Sequence, residues 1–229
     1  MKQDLLKKAS LKFLIVDSQQ LCIDGTIQVL LSKYPKAEII TAATAIDFVK
    51  KWSIDLPDLV VMDICIAEKS GEIALPNTGM QLLKKIMENY PKLNLFIQST
   101  YIKTLVRIKP EIDAHNGGFT VANKNLSSME LSNRIEWALQ GLTHTKDIPY
   151  LNFASLVKPE YLRLLSLAFQ EGLQDKAIAE HICVSQRMVR YYWDSLQDAL
   201  DIDGNELKNQ GKNLRIITQI RAREVGLID

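Results

Sequence analysis

The chain is poor in the groups from which self-contained chemistry is usually built. It has three histidines and three cysteines in 229 residues. His115, His144 and His181 are scattered, and no nucleophile–base pair is visible around them; surface or packing roles are expected. Cys22, Cys65 and Cys183 lie far apart, without metal-ligand or redox spacing, and are expected to be buried small residues. Long apolar runs are missing too. No stretch approaches the roughly 20 apolar residues that cross a bilayer, and residues 1–8 lack the apolar core of a secretory signal. The expectation is a cytoplasmic protein with no membrane partner. Internal repeats and low-complexity tracts are also absent, and Trp52, Trp137 and Trp193 fall on amphipathic helical patterns where core packing is the default role.

What is present is an alternation of strand and helix. At roughly 100–200 residues per domain, the length suggests two small domains, and a hydrophobic fraction of 47% can supply a core for each. From Leu11 to Gly141, short apolar runs alternate with helical patterns at 21–34, 45–52, 80–90, 102–108 and 129–139. This predicts an α/β doubly wound parallel sheet, here of five strands. Pro110 cannot sit inside a long fourth helix without cost, so that connection is expected to be short, broken or rebuilt. After Gly141 the periodicity fades into turn residues. We read a domain at 10–141, a linker at 142–155 and an all-α domain at 156–229.

The strands matter for how they end. The buried run 56–63 closes on Asp63, and ligands of open parallel sheets collect at the carboxyl ends of strands. Asp17 ends the run 11–16, Ser99 ends 93–98, and Lys124 follows 118–123. Two acids, a hydroxyl and an ammonium therefore belong to one rim. A carboxylate can attack phosphorus, a metal can neutralise the transferring oxygens, and a lysine can anchor the product phosphate.

This cluster, with its spacing, resembles the receiver domain of two-component response regulators over residues 10–141. The resemblance implies that Asp63 accepts a phosphoryl group from a histidine kinase. It also implies that Asp17, Asp63 and the Cys65 backbone carbonyl hold Mg²⁺, and that Ser99 and Lys124 bind the phosphate and act as the switch. There are departures. Val16-Asp17-Ser18-Gln19-Gln20 stands where the family reads V-D-D-H-P, so one metal-binding acid is a hydroxyl and weaker Mg²⁺ binding is expected. Residues 67–78 are longer than the family's link and lie beside the site as a potential lid. Val121 replaces a common Tyr or Phe, with Tyr101 the nearest substitute.

In the helical domain, Pro159 suits a first helical position, and Gly172 ends that helix. A short helix from Asp175 to about Ile182, a turn at Cys183-Val184 and a third helix capped by Ser185 make a helix-turn-helix. Met188, Val189 and Trp193 are expected to face inward. At 156–200 the chain resembles the C-terminal domain of LuxR/NarL (FixJ-type) regulators, with Gly172-Leu173-Gln174-Asp175-Lys176-Ala177-Ile178-Ala179 in place of G-L-S-N-K-E-I-A. The resemblance implies that the helix after Ser185 reads double-stranded DNA through Arg187, Arg190 and Tyr191, with Lys176 in the same basic patch. Arginine can bridge two acceptors on guanine. Residues 151–229 nevertheless hold 10 Lys/Arg against 11 Asp/Glu, so local clustering must replace net charge. The segment 201–211 is an insertion. Its Gly204 and Lys212 do not fit the EF-hand positions, and a surface turn is expected. In the last helix, 213–225, Leu214, Ile217 and Ile220 share a stripe that packs on the domain or dimerises it.

The reading is a non-enzymatic response regulator that controls transcription and forms a homodimer when active. Three alternatives stay open: a phosphorylation-independent DNA-binding protein whose receiver only dimerises, a protein-binding adaptor, and a phosphatase-type hydrolase. The last lacks an acid two residues beyond Asp63, where Cys65 stands.

Overall fold

The computed structural model describes residues 10–52, 56–149 and 158–229. They form two compact units. One takes the described residues up to Ile102 plus Pro110–Pro149; the other takes Lys103–Lys109 plus those from 158 onward.

The first unit is a wholly parallel sheet with the order β2-β1-β3-β4-β5-β6. Its strands are β1 (Lys12–Val16), β2 (Glu38–Ala42), β3 (Leu59–Met62), β4 (Asn94–Gln98), β5 (Phe119–Ala122) and β6 (Thr143–His144). Around them lie α1 (Gln20–Lys33), α2 (Ala45–Trp52), α3 (Pro76–Asn89), α4 (Lys109–Ala114) and α5 (Ser128–Leu139). All four residues of β3 are buried, as a central parallel strand covered on both faces requires. Strand alternation sends Phe13, Ile15, Leu59, Val61 and Phe96 to one face, where they pack with Ile23 and Leu30 of α1 and Leu131 and Ile135 of α5.

Six strands replace the expected five. β6 has only two residues, too short to leave a periodic signal, and long-range contacts hold it. Phe119 donates its N–H to the Leu142 carbonyl at 3.1 Å, Arg134 pairs with Asp147 at 2.6 Å, and Ile148 is buried. Residues 143–148, expected to begin the linker, therefore belong to the sheet unit; from 150 to 155 the expected linker lies outside the described residues.

Two connections differ from expectation. α3 starts at Pro76 instead of Met80, with proline in the first turn where its missing N–H costs nothing. Residues Ile102–Ile108 form a 3-10 helix running into α4, so Pro110 sits in the first turn of a new helix. Residues 103–109 group with the second unit. There Val106 joins the apolar core, and Arg107 donates to the Gly226 carbonyl at 2.7 Å and pairs with Asp229 at 2.8 Å.

The second unit contains α6 (Pro159–Phe169), α7 (Asp175–His181), α8 (Gln186–Ala199), α9 (Gly204–Asn209) and α10 (Leu214–Glu224). Leu164, Leu165, Ile178, Val189, Trp193, Leu196 and Ala222 are its core. Gly172, at φ +69°, ends α6 in the left-handed region that glycine tolerates.

Three expectations are corrected here. The 201–211 insertion contains a helix, α9, whose start is tied by Glu206 N–H to the Asp203 carboxylate at 3.0 Å. On α10, Thr218 and Ala222 are buried and Leu214 and Ile217 half-buried, while Ile216 and Ile220 are exposed. A polar pair, Gln197 Nε2 to Thr218 Oγ1 at 3.3 Å, takes the inner position. Cys183 is exposed and Cys22 and Cys65 are half-buried; Cys183 closes α7 at φ +56°, which turns its side chain outward with the loop. Met188 is exposed rather than packed. Among the described residues no helix is long and apolar enough to cross a membrane.

Candidate functional site

Sheet register assembles the first site. Val16 is opposite Met62, Met62 opposite Ile97, and Ile97 opposite Val121. One residue further on, Asp17 and Asp63 leave the sheet side by side, with Asp63 N–H on the Val16 carbonyl at 2.8 Å. Ser99 N–H bonds the Ala122 carbonyl at 3.1 Å, and Lys124 leaves β5 just beyond. The approach of α3 behind Asp63 depends on Gly79, where a Cβ would lie 1.9 Å from the Ile64 carbonyl oxygen.

The four side chains meet. Lys124 Nζ lies 2.7 Å from Asp17 Oδ2 and 2.7 Å from Asp63 Oδ2. Asp63 Oδ1 accepts from Ser99 Oγ at 2.6 Å and from Cys65 N–H at 3.0 Å. Asp17 Oδ1 accepts from Gln19 N–H at 2.8 Å. Every carboxylate oxygen is thus engaged, and Asp17, Asp63 and Ser99 are all buried. Burial pushes the Asp17 carboxyl above its ordinary range, against the opposing pull of Lys124 and Gln19. Burial also works against the Lys124 ammonium, but the hydrogen bonds and charges of Asp17 and Asp63 together outweigh it and hold its pKa above the usual lysine value.

A small hard cation takes one or two carboxylates and keeps several waters. Asp17, Asp63 and the Cys65 carbonyl match that set in number and kind, and Ser18 Oγ, standing where a third acid would help, bonds the Cys65 carbonyl at 3.5 Å. Lys124 holds one oxygen of each of these carboxylates. Among the described residues no group of three His, Cys, Asp or Glu side chains could hold a metal, so the backbone carbonyl is needed. Around the rim, Val121 is fully buried, and Tyr101 is exposed with its N–H on Ser99 Oγ at 3.2 Å. Segment 67–78 is stitched down, through Leu75 N–H to the Ile66 carbonyl at 3.1 Å and Ala45 N–H to the Ala67 carbonyl at 3.0 Å.

The second set of candidates lies on the second unit. Ser185 caps α8, accepting Met188 N–H at 3.2 Å, so the first turn of α8 is well ordered. Val189, Trp193 and Leu196 face the core, leaving Arg187, Met188, Arg190, Tyr191 and Asp194 exposed. Lys176 on α7 is exposed as well. Two residues that sequence reasoning missed set the helix in place. Asp175 accepts from Trp193 Nε1 at 3.1 Å and from Arg215 at 2.9 and 3.2 Å, and the Arg215 guanidinium lies 3.8 Å from the Trp193 ring centroid. This clamp ties α7, α8 and α10 together. An exposed-looking Asp at a helix start and an Arg on a distant helix carry no local signal of it.

No protein-family model and no curated protein matches the chain. Solved structures do. The two-component response regulator RcsB in complex with DNA is similar over 85% of this chain and 94% of that one, at 14% identity and a TM-score of 0.57. RcsB from Salmonella enterica serovar Typhimurium bound to promoter rprA with the phosphomimetic BeF3- gives 14% identity, 85% and 94% coverage and a TM-score of 0.52. The same protein on promoter P1flhDC gives 15%, 87%, 96% and 0.51. The chain shares its fold with these solved structures. At these identities the likeness is one of fold alone, and the roles of individual residues rest on the chemistry described above.

Proposed function

We propose that the chain is a cytoplasmic response regulator of the LuxR/NarL (FixJ) type, in which Asp63 accepts a phosphoryl group from a histidine kinase and α8 reads double-stranded DNA. The observation that carries this is the convergence of Asp17, Asp63, Ser99 and Lys124 at the carboxyl edge of β1, β3, β4 and β5. An Asp63 oxygen attacks phosphorus, the phosphorus–nitrogen bond of the donor phosphohistidine breaks, and the imidazole leaves and takes up a proton. Lys124, already on Asp63 Oδ2, moves onto the product phosphate as a point charge. Ser99 turns its hydroxyl from Asp63 Oδ1 to a phosphate oxygen. Mg²⁺, held by Asp17, Asp63 and the Cys65 carbonyl, supplies charge neutralisation when bound.

The product carries roughly −1.5 to −2 charge, and Ser99 stands just ahead of the 103–109 segment in the chain, so its movement is passed on to a stretch that groups with the second unit. A homodimer then presents two copies of α8 to half-sites one helical turn apart. The helix-turn-helix reading of α7 and α8 is supported by the Ser185 cap and by a fold shared with RcsB structures on DNA.

A second reading is favoured by one observation: Ser99 and Lys124 already satisfy Asp63, and Ser18 replaces an acid. In it the sheet unit is a fixed dimerisation module and DNA binding needs no phosphate. Intact-mass measurement with acetyl phosphate and Mg²⁺ decides. The proposal expects a gain of one phosphoryl group that is lost in Asp63→Asn; no gain in the wild type leaves the second reading. Salt-dependent duplex binding, with a slope near −0.9 per phosphate contact and weakened by Arg190→Ala, tests the DNA half. Its absence favours an adaptor that docks on protein.

A further inference from the structure

α8 displays apolar surface where a solvated helix should have none to spare. Met188 is 41% exposed and Tyr191 56%, and at i, i+3 spacing they share one face. Arg187 and Arg190, both exposed, lie together on one side of that pair around the helix. Neither guanidinium has an ion-pair or hydrogen-bond partner among the described residues, whereas Arg134, Arg215 and Arg221 each hold a carboxylate. An apolar pair beside two cations that have no partner among the described residues fits a partner that sets anionic groups next to small apolar ones. Duplex DNA offers this in the major groove, where phosphates line the walls and the thymine 5-methyl group is the apolar feature of the floor.

The patch is also confined to one end of the helix. Asp194 is exposed on the same stripe as Arg187, two turns further on, and a carboxylate there repels phosphate. The reading surface is therefore the first two turns, the end that recognition helices present to base edges. Tyr191 is backed by aromatic packing, with its ring centroid 6.2 Å from that of Tyr192 and Tyr192 in turn 6.3 Å from Tyr161, so it enters a groove with little conformational freedom to lose.

We infer that Met188 and Tyr191 make the sequence specificity of this protein depend on thymine methyl groups, adding an apolar readout to the arginine contacts. The inference rests on the DNA-binding reading above. The test uses the full chain, a duplex enriched by it from a random-sequence pool, and copies of that duplex in which each thymine in turn is replaced by deoxyuridine, which removes only the methyl. At one or more thymines per half-site, wild-type affinity is expected to fall about four-fold, the equivalent of about 0.8 kcal/mol for one buried methyl-sized group. Met188→Ala and Tyr191→Ala, both at exposed positions and checked for unchanged melting, are expected to weaken binding to the thymine duplex and shrink the deoxyuridine penalty. Arg190→Ala is expected to weaken both duplexes while leaving the penalty in place. If no duplex is enriched, the DNA-binding reading fails and takes this inference with it. If DNA binds but deoxyuridine is neutral throughout, or its penalty survives in both apolar variants, only the methyl readout is overturned.

Discussion

The edge of the sheet and the outer face of α8 handle charge in opposite ways. At the sheet edge, Lys124 spans Asp17 and Asp63, Ser99 and Cys65 N–H fill the remaining Asp63 oxygen, and both acids and Ser99 are buried. On α8, Arg187 and Arg190 stand in solvent with no partner among the described residues. The first is a closed circuit, whose members change only when something takes a partner away. The second is open, and its charges wait for a partner from outside. The proposed role calls for both: a site that resists idle rearrangement until a phosphoryl group arrives, and a surface whose charges are free of partners among the described residues.

The contrast is broken most severely by Lys124→Met. Two carboxylates would remain in a buried pocket with no cation between them, and losing one partner from a buried ion pair costs about 3–5 kcal/mol. Thermal or denaturant unfolding of the first unit measures this. The pH dependence gives it a signature. Without Lys124 the two acids repel, so one of them, with Asp17 the prime candidate because burial already raises it, takes up a proton more readily in the folded than in the unfolded state. A folded state that binds more protons gains stability as pH falls. The deficit of Lys124→Met relative to wild type should therefore shrink between about pH 8 and about pH 5. In the wild type, the raised Lys124 pKa works at the other end: its contribution is complete below the ordinary lysine pKa and is lost as pH rises through the higher folded value. A pH-independent deficit would show that the lysine is not the cation that balances the pocket.

A smaller effect is expected at the second unit from Asp175→Ala. The substitution leaves Trp193 Nε1 and the Arg215 guanidinium without their common acceptor. Both members of the ion pair are about a third exposed, so solvent screening limits their share. The indole N–H on an otherwise buried Trp193 dominates, and the total should be about 1.5 kcal/mol. Melting of the second unit reads the loss. Phosphoryl labelling of Asp63 should be untouched, whereas DNA affinity should fall because α8 is no longer held against α7. Equal loss in both functions would mean that the two sites share one cooperative fold.

What the residues announced in advance follows the range of the forces involved. The parallel sheet and the meeting of Asp17, Asp63, Ser99 and Lys124 were legible because buried runs such as 59–62 are local signals, and parallel register then leaves their ends little choice. The Ser185 cap was legible for the same reason. Longer-range features were not. β6 is two residues held by Arg134, Asp147 and the β5 edge, none of which shows in its own sequence. The Asp175–Trp193–Arg215 clamp joins three helices across 40 residues of chain. Met188 was expected inside because it is apolar, but Val189 and Trp193 already fill the inward stripe, and the residue before Val189 falls about 100° away around the helix. On α10 the inner position belongs to Thr218, bonded to Gln197, a polar pairing that an apolar stripe does not announce.

The finest test sharpens the comparison by separating the order of α8 from its charge. Ser185→Ala removes the side chain that accepts Met188 N–H and should lower the stability of the second unit by about 1 kcal/mol. DNA affinity should fall modestly with it, because the frayed turn carries Arg187 and Met188. Ser185→Asp keeps the cap and adds a negative charge at the helix N-terminus, where the macrodipole favours it, so melting should stay at or above the wild-type value. That same charge would face phosphate. Duplex binding should therefore weaken more in Ser185→Asp than in Ser185→Ala, despite the better-ordered helix, with the difference shrinking as salt screens it. If affinity instead followed stability across the two variants, helix order would govern recognition, and the exposed charges of α8 would lose their assigned part.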